Sequence, residues 1–274
     1  MKKKKVGILT FAWSMNYGAM LQAWALQKAI SSLGYECELI NFRRRQDLRL
    51  QEILWNLKEG HISKGSRALM FEFLNWRKHM RFKVFATENS NLSPHPCHDL
   101  TSLAALSSTY GAIVSGSDQV WNPDLAEESL GCYLFDFPAT AQTRRIAYAA
   151  SIGSDSIDEA WHPMFRRCLE RFDAISVRET SAVPLISALA AKEVTAVLDP
   201  TILIPLHQWH AISSDMVIRE PFLLVYSFGT PASFRNIVHE VSNATGLSVV
   251  TLHKRKHYNN ELGRFPYAGP QEFV

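Results

Sequence analysis

The sequence predicts an α/β fold built on a parallel sheet, and three observations predict it. A strand-length apolar run, Val6 to Phe11, is followed within a few residues by Ala19, Ala23, Leu26, Ile30 and Leu33, spaced i, i+4, i+7, i+11 and i+14 as on one face of a helix. Similar strand-length runs recur along the chain, alternate with helical patterns, and end in polar or glycine-containing turns. Strands joined through helices pair in parallel, because a parallel pair needs a long crossover. Finally, 274 residues exceed the usual size of one hydrophobic core, which leaves two domains or one large α/β unit.

Taken in order, Gly34 closes the first helix as a left-handed cap would, and CELINF at 37–42 resumes strand character. Leu48 to Phe85 is helical in pattern but basic and aromatic, with Trp55, Phe71, Phe73, Trp76, Met80 and Phe82 among lysines and arginines. This insertion is either a lid or partner surface, or two helices packed on the sheet with snorkelling basic side chains. NSNLSPHP at 89–96 is a loop by composition. The alternation then returns: YGAIVSGSDQVW, RRIAYAASIGS, a helix around Trp161 to Phe172, FDAISVRE, a helix through Ala190, and VTAVLDPTILI.

Ile204 to Pro221, with prolines at 205 and 221 and mixed polarity, separates that series from a second one, FLLVYSFG, a helix from Ala232 to Ala244, and LSVVTLH. The expected organisation is therefore a domain over 1–210, carrying the helical insertion around 48–85, and a partial domain over 211–274. Two strands are fewer than a stable sheet normally has, so the second domain is expected to be incomplete.

Composition narrows the function classes. With 47% hydrophobic and 20% charged residues the chain is an ordinary globular protein, and a net charge of +3 lacks the concentrated positive face that duplex nucleic acid demands. A small anionic substrate fits that charge equally well. The four cysteines, Cys37, Cys97, Cys132 and Cys168, lie far apart without a CxxC pair, so neither a disulfide framework nor a structural zinc site is signalled and a cytoplasmic location is expected. MKKKKVGILTF lacks the long apolar region and cleavage site of a signal peptide, and no segment is apolar for long enough to span a bilayer. Lys2 to Lys5 read as a solvated tail, with peripheral contact to the inner, anionic face of the membrane as the alternative.

Ligands of an open parallel sheet collect beyond the carboxyl ends of its strands. Asn16, Tyr17 and Gly18 lie there, between the first strand and its helix, where a glycine admits close backbone approach and free N–H groups attract an anion; a plain helix cap explains the same residues. Ser115 to Gln119 crowd small and polar groups past the strand Ala112 to Val114, and Asp118 suits orienting or deprotonating a sugar hydroxyl as well as capping a turn. Arg178 follows the strand AISV, where its planar fork matches phosphate or carboxylate; pairing with Glu179 or a surface aspartate is the plainer reading. HPCH at 95–98 has no second cluster and is not read as a metal site, and His253 and His257 belong to a basic, solvated loop. Ser151 and Ser154 lack the setting of a hydrolase nucleophile, and no dinucleotide or P-loop fingerprint is present.

Together VGILTFAWSMNYGAMLQAWALQKAI, YGAIVSGSDQVWNP, FDFPATAQTRRIAYAASIGS, FDAISVRETSAVPLI and VTAVLDPTILI closely resemble the polysaccharide pyruvyl transferase family, across essentially the whole chain. The resemblance implies two Rossmann-like domains facing a cleft, as in the type-B glycosyltransferases. It also implies transfer of a pyruvyl group from phosphoenolpyruvate, with no further cofactor, to a sugar of a cell-surface glycan or of its lipid-linked or nucleotide-linked precursor. By the same resemblance Arg178 binds the donor's phosphate or carboxylate. Asn16, Tyr17 and Gly18 in the NYG motif, with Ser117, Asp118 and Gln119 in the SDQ motif, orient donor or acceptor. The family continues past QEFV into a motif whose histidine is the usual candidate for the general acid, and none of the ten histidines here supplies it. The acid is therefore unassigned, and a fragment, a truncated product or lost activity is expected. Two other functions suit the same architecture: sugar transfer from a nucleotide sugar, and non-catalytic glycan binding by a truncated domain.

Overall fold

A computed structural model describes residues 5–43, 62–138, 143–215, 218–226, 232–252 and 268–274. Six strands, β1 (Lys5–Leu9), β2 (Glu36–Leu39), β3 (Ala112–Ser115), β4 (Arg144–Ala150), β5 (Ala174–Val177) and β6 (Thr195–Ala196), form one sheet in the order β2-β1-β3-β4-β5-β6. Every neighbouring pair is parallel. The expected α/β class and parallel pairing are thus what the chain adopts, in a Rossmann-like arrangement. The chain builds the sheet outward in one direction from β1 to β2 and in the other from β3 to β6. Loops after β1 and β3 therefore part at a topological switch point, where such sheets open a crevice.

Among the described residues the α-helices are α1 (Tyr17–Ser32), α2 (Ile62–Asn89), α3 (Leu100–Ser107), α4 (His162–Leu169), α5 (Val183–Ala190), α6 (Leu206–Ile212), α7 (Ala232–Thr245) and α8 (Pro270–Phe273), with two further single turns, Pro123–Ala126 and Leu130–Tyr133, after β3. One face of the sheet is sealed by a core that joins Ile113, Ala147 and Ile175 to Trp121, Phe135, Phe165, Phe172 and Ile186. On the other face Ala23 and Leu26 of α1 pack against Val6, Ile8 and Val114.

Two expectations change here. Leu33 does not belong to the buried stripe of α1: it is the C-cap residue and 74% exposed, because the chain turns away at Gly34, whose φ of +88° is the expected left-handed cap. And α2 packs not on the sheet but on α1, its Phe82, Phe85 and Ala86 meeting Tyr17, Met20, Leu21 and Trp24. Helix α1 is consequently an inner layer buried on two sides. Residues 48–61 of the insertion, with Trp55, lie outside the described residues, as do Lys2 to Lys4 and the loop with His253 and His257.

β7 (Phe222–Val225) and β8 (Ser248–Thr251) form a separate parallel pair connected by α7, with Val225, Val238 and Val249 as a small core. The last residues return to α1. Phe273 stacks on Tyr17 with ring centroids 4.5 Å apart, and Arg81 of α2 pairs with Glu272 at 2.6 Å. Among the described residues no helix is long and apolar enough to cross a membrane.

Candidate functional site

The carboxyl ends of β1, β3, β4, β5 and β6 converge on one hydrogen-bonded cluster. After β1, Thr10 Oγ1 donates to the Ser117 carbonyl at 2.8 Å and accepts from Gln22 Nε2 of α1 at 2.9 Å. This ties the first loop to the third strand's loop. Ser117, fully buried, donates its hydroxyl to Asp199 Oδ2 at 2.8 Å. Asp118 sits at φ +78°, a left-handed conformation that aspartate tolerates because its short polar side chain bonds locally; here Oδ1 accepts from Gln119 N at 2.8 Å. Its carbonyl accepts from Ser151 N at 3.0 Å, so the loop after β3 runs alongside the end of β4.

Past β4, Ser151 donates through Oγ to Glu179 Oε1 at 2.8 Å. Gly153 makes the next turn at φ +70°, with Gln119 against it: a Cβ there would stand 2.2 Å from Gln119 Oε1. Gln119 Oε1 in turn accepts from Asn122 Nδ2 at 2.8 Å.

Arg178, after β5, is held from two sides. Nε donates to Glu179 Oε1 at 3.0 Å and Nη1 to Asp199 Oδ2 at 3.3 Å, while Nη2 has no protein acceptor among the described residues. Its side chain is 29% exposed. Burial works against its charge, but the hydrogen bond and charge of Glu179, then the charges of Asp199 and Asp118, outweigh that and hold its pKa above the ordinary guanidinium value. Asp199 closes the ring from the turn after β6, where Oδ1 accepts from Thr201 N at 3.0 Å and Thr201 Oγ1 at 2.7 Å. Burial alone would raise its pKa; the Thr201 and Ser117 hydrogen bonds and the Arg178 charge overcome that and keep the carboxyl below its usual range.

The structure therefore brings Ser117, Asp118, Gln119 and Arg178 together, realises the plainer pairing of Arg178 with Glu179, and adds three groups that the sequence reading did not place there: Thr10, Ser151 and Asp199. Asp199 stands in the LDP of VTAVLDP, directly after a strand like Asp118, and that position was its signal. Arg178 is not an unencumbered anion receptor. It is oriented by two carboxylates and presents its remaining N–H groups.

The NYG residues divide. Asn16 is the exposed N-cap of α1, its Oδ1 accepting from Ala19 N at 3.2 Å, and Gly18 is exposed beside it. Tyr17 faces away from the cluster into the joint between α1, α2 and the C-terminal residues. Its hydroxyl donates to the Ala268 carbonyl at 2.7 Å, Lys78 Nζ lies 4.7 Å from its ring, and burial raises its phenol well above the usual value.

Chemically, the cluster offers partly exposed carboxylates, braced by buried hydroxyls, to a polyhydroxylated ligand and part of a guanidinium fork to one anionic group. No curated protein and no solved structure matches the chain significantly. A family model described as polysaccharide pyruvyl transferase matches residues 16–274, a span that contains α1 with its cap, the SDQ turn, Arg178 and Asp199. The chain belongs to the polysaccharide pyruvyl transferase family.

Proposed function

We propose that the chain transfers a pyruvyl group from phosphoenolpyruvate to two hydroxyls of one sugar, forming a cyclic ketal and releasing phosphate. The observation that carries this reading is Arg178, clamped by Glu179 and Asp199 with Nη2 open, beside Ser117 and Asp118 on the sheet edge. A guanidinium fixed in this way binds the donor's carboxylate or phosphate in a set orientation, which is what an addition to its enol carbon requires.

The steps balance as follows. A proton adds to the methylene carbon of the donor, leaving a cationic centre at the carbon that bears carboxylate and phosphate. One sugar hydroxyl adds there and loses its proton. The carbon–oxygen bond to phosphate then breaks, phosphate departs as the hydrogen phosphate, and the second hydroxyl closes the ring and loses its proton. Asp199, kept ionised with both oxygens already accepting from Thr201, Ser117 and Arg178, holds the clamp in place and does not serve as the acid. Arg178 orients the donor, the buried Ser117 hydroxyl fixes Asp199 beside it, and the negative charge around them stabilises the cationic centre.

The acceptor is a lipid-linked or nucleotide-linked sugar of a polysaccharide precursor, handled on the cytoplasmic side. The four free, buried cysteines support a reducing compartment. The test is phosphate release from phosphoenolpyruvate in the presence of a glycan acceptor. Arg178→Ala is expected to lower turnover by about a hundredfold or more, the scale of losing a positioned charge in a transition state. Unchanged turnover, or transfer from a nucleotide sugar in place of phosphoenolpyruvate, refutes the proposal.

A further inference from the structure

A second feature of the same sheet edge has the opposite electrostatic character. Trp13 and Ser14, after β1, and Arg43, after β2, line a cavity of about 200 Å³ with His79 and Lys83 of α2. No carboxylate lines it among the described residues. The indole Nε1 of Trp13 and the hydroxyl of Ser14 are buried with no hydrogen-bond partner among the described residues. Arg43 sits over the Trp13 ring, its guanidinium carbon 4.2 Å from the centroid. Its Nε donates to Asn41 Oδ1 at 3.2 Å, and its two Nη groups have no acceptor among the described residues.

Each of these features calls for an anion. A buried N–H without an acceptor is costly, and an incoming oxygen relieves it. A guanidinium held over an indole, with no acceptor for either Nη group among the described residues, is preorganised for a phosphate fork, and the exposed Lys83 adds a second positive charge to the lining. The Arg178 cluster is its complement, since Glu179, Asp199 and Asp118 all act on that guanidinium. The two guanidiniums therefore differ: Arg178 meets the donor with the N–H groups that Glu179 and Asp199 leave over, whereas Arg43 meets a phosphate in a cavity that no carboxylate lines among the described residues.

The two places are also suitably spaced. From β1 to β5 the sheet makes three steps, through β3 and β4. At about 4.8 Å per step that is roughly 14 Å along the edge. A phosphoenolpyruvate is too short to reach both, whereas a donor at Arg178 and a phosphorylated sugar beside it fill the interval. We infer that the Trp13–Ser14–Arg43–Lys83 cavity binds the phosphate of a phosphorylated acceptor sugar. The inference rests on the pyruvyl-transfer reading only in placing that sugar's hydroxyls at the Arg178 cluster.

The experiment is calorimetric titration of the full chain with glucose 1-phosphate and with methyl glucoside, followed in parallel by Trp fluorescence. The phosphate ester is expected to bind about tenfold or more tightly than the neutral glycoside, since a charge-assisted hydrogen bond is worth at least that factor. Arg43→Gln and Lys83→Gln should each remove about a factor of ten of that preference, while Arg178→Gln leaves it in place. Lys83 is exposed, so its variant reports on binding even if Arg43→Gln is poorly folded. Equal affinity for the two sugars, or a preference lost in Arg178→Gln and kept in both cavity variants, overturns the inference. Phosphate-dependent binding that needs Arg43 in a protein that releases no phosphate from phosphoenolpyruvate would uphold the cavity and sink the pyruvyl reading. If the phosphate comes from a nucleotide-linked acceptor, uridine diphosphate glucose binds more tightly than glucose 1-phosphate; if from a lipid-linked one, a short polyprenyl diphosphate glucose does.

Discussion

Asp199→Asn tests whether the ring that clamps Arg178 is held by charge. In the native protein Asp199 Oδ1 accepts from Thr201 N and Oγ1, and Oδ2 accepts from Ser117 Oγ at 2.8 Å and Arg178 Nη1 at 3.3 Å. An asparagine keeps the Thr201 side and turns an NH₂ toward a hydroxyl and a cation. Two bonds to a charged acceptor are lost, each worth about 1.5–3 kcal/mol when short, and the Arg178 one is long, so about 2–3 kcal/mol is expected at neutral pH. The side chain is 23% exposed, which leaves that figure little reduced by solvent. Because the folded pKa of Asp199 lies below the ordinary carboxylate value of 3.8, its contribution is fully present above that value and disappears as pH falls through the lower, folded pKa. Thermal unfolding of wild type and variant at a series of pH values from 7 downward is the assay. The gap in melting temperature should be constant near neutrality and close below about pH 4, where the unfolded carboxylate begins to protonate. A gap that is absent at pH 7, or that stays constant through the acid limb, refutes the ionised clamp.

Three further outcomes are expected. Gly153→Ala forces an alanine to φ +70° with its Cβ 2.2 Å from Gln119 Oε1, so it should cost about 2–3 kcal/mol, and Gln119→Ala in the same chain should recover part of that if the clash is real; strictly additive melting shifts would say otherwise. Tyr17→Phe removes only the bond to the Ala268 carbonyl and should cost about 1 kcal/mol, whereas Tyr17→Ala opens a cavity among Phe82, Tyr226 and Phe273 and should cost about 3–5 kcal/mol in urea unfolding. Burial pushes the thiols of Cys37, Cys132 and Cys168 up to about 12 and raises Cys97 as well, so a disulfide reagent at pH 8 should leave the native protein untouched and titrate four thiols after unfolding.

What the sequence made legible was local. Val6 to Phe11 and the runs after it declare strands by their length and branching, and Gly34 declares a helix end by its freedom at φ +88°. The double burial of α1 was not legible, because the spacing of Ala19, Ala23 and Leu26 reports the side that meets the sheet. Tyr17, Met20, Leu21 and Trp24 lie on the other side and read as a mixture until α2 is seen against them. Asp199 escaped for a related reason. An aspartate before a proline reads as a cap, and it does cap, through Thr201 N. Its second oxygen bonds Ser117, 82 positions earlier, and no local pattern encodes that distance.

The same limit applies to charge. A net of +3 suggests only a weak attraction for anions, yet the sheet edge is divided into a carboxylate-rich end at β3 to β6 and a cation-lined end at β1 and β2. The division follows from strand order. Because β1 lies between β2 and β3, the loop carrying Trp13 and Ser14 is placed beside Arg43, while Thr10 at the start of that loop is tied to Ser117. One loop therefore touches both ends, and helix α1, capped by Asn16 and fixed by Gln22 to Thr10, sets the interval between them. A substitution that loosens α1, such as Gln22→Ala, should shift donor and acceptor affinities together, although neither Gln22 atom faces the ligand in the proposed arrangement. Independent changes in the two affinities would mean that the loop after β1 does not link them.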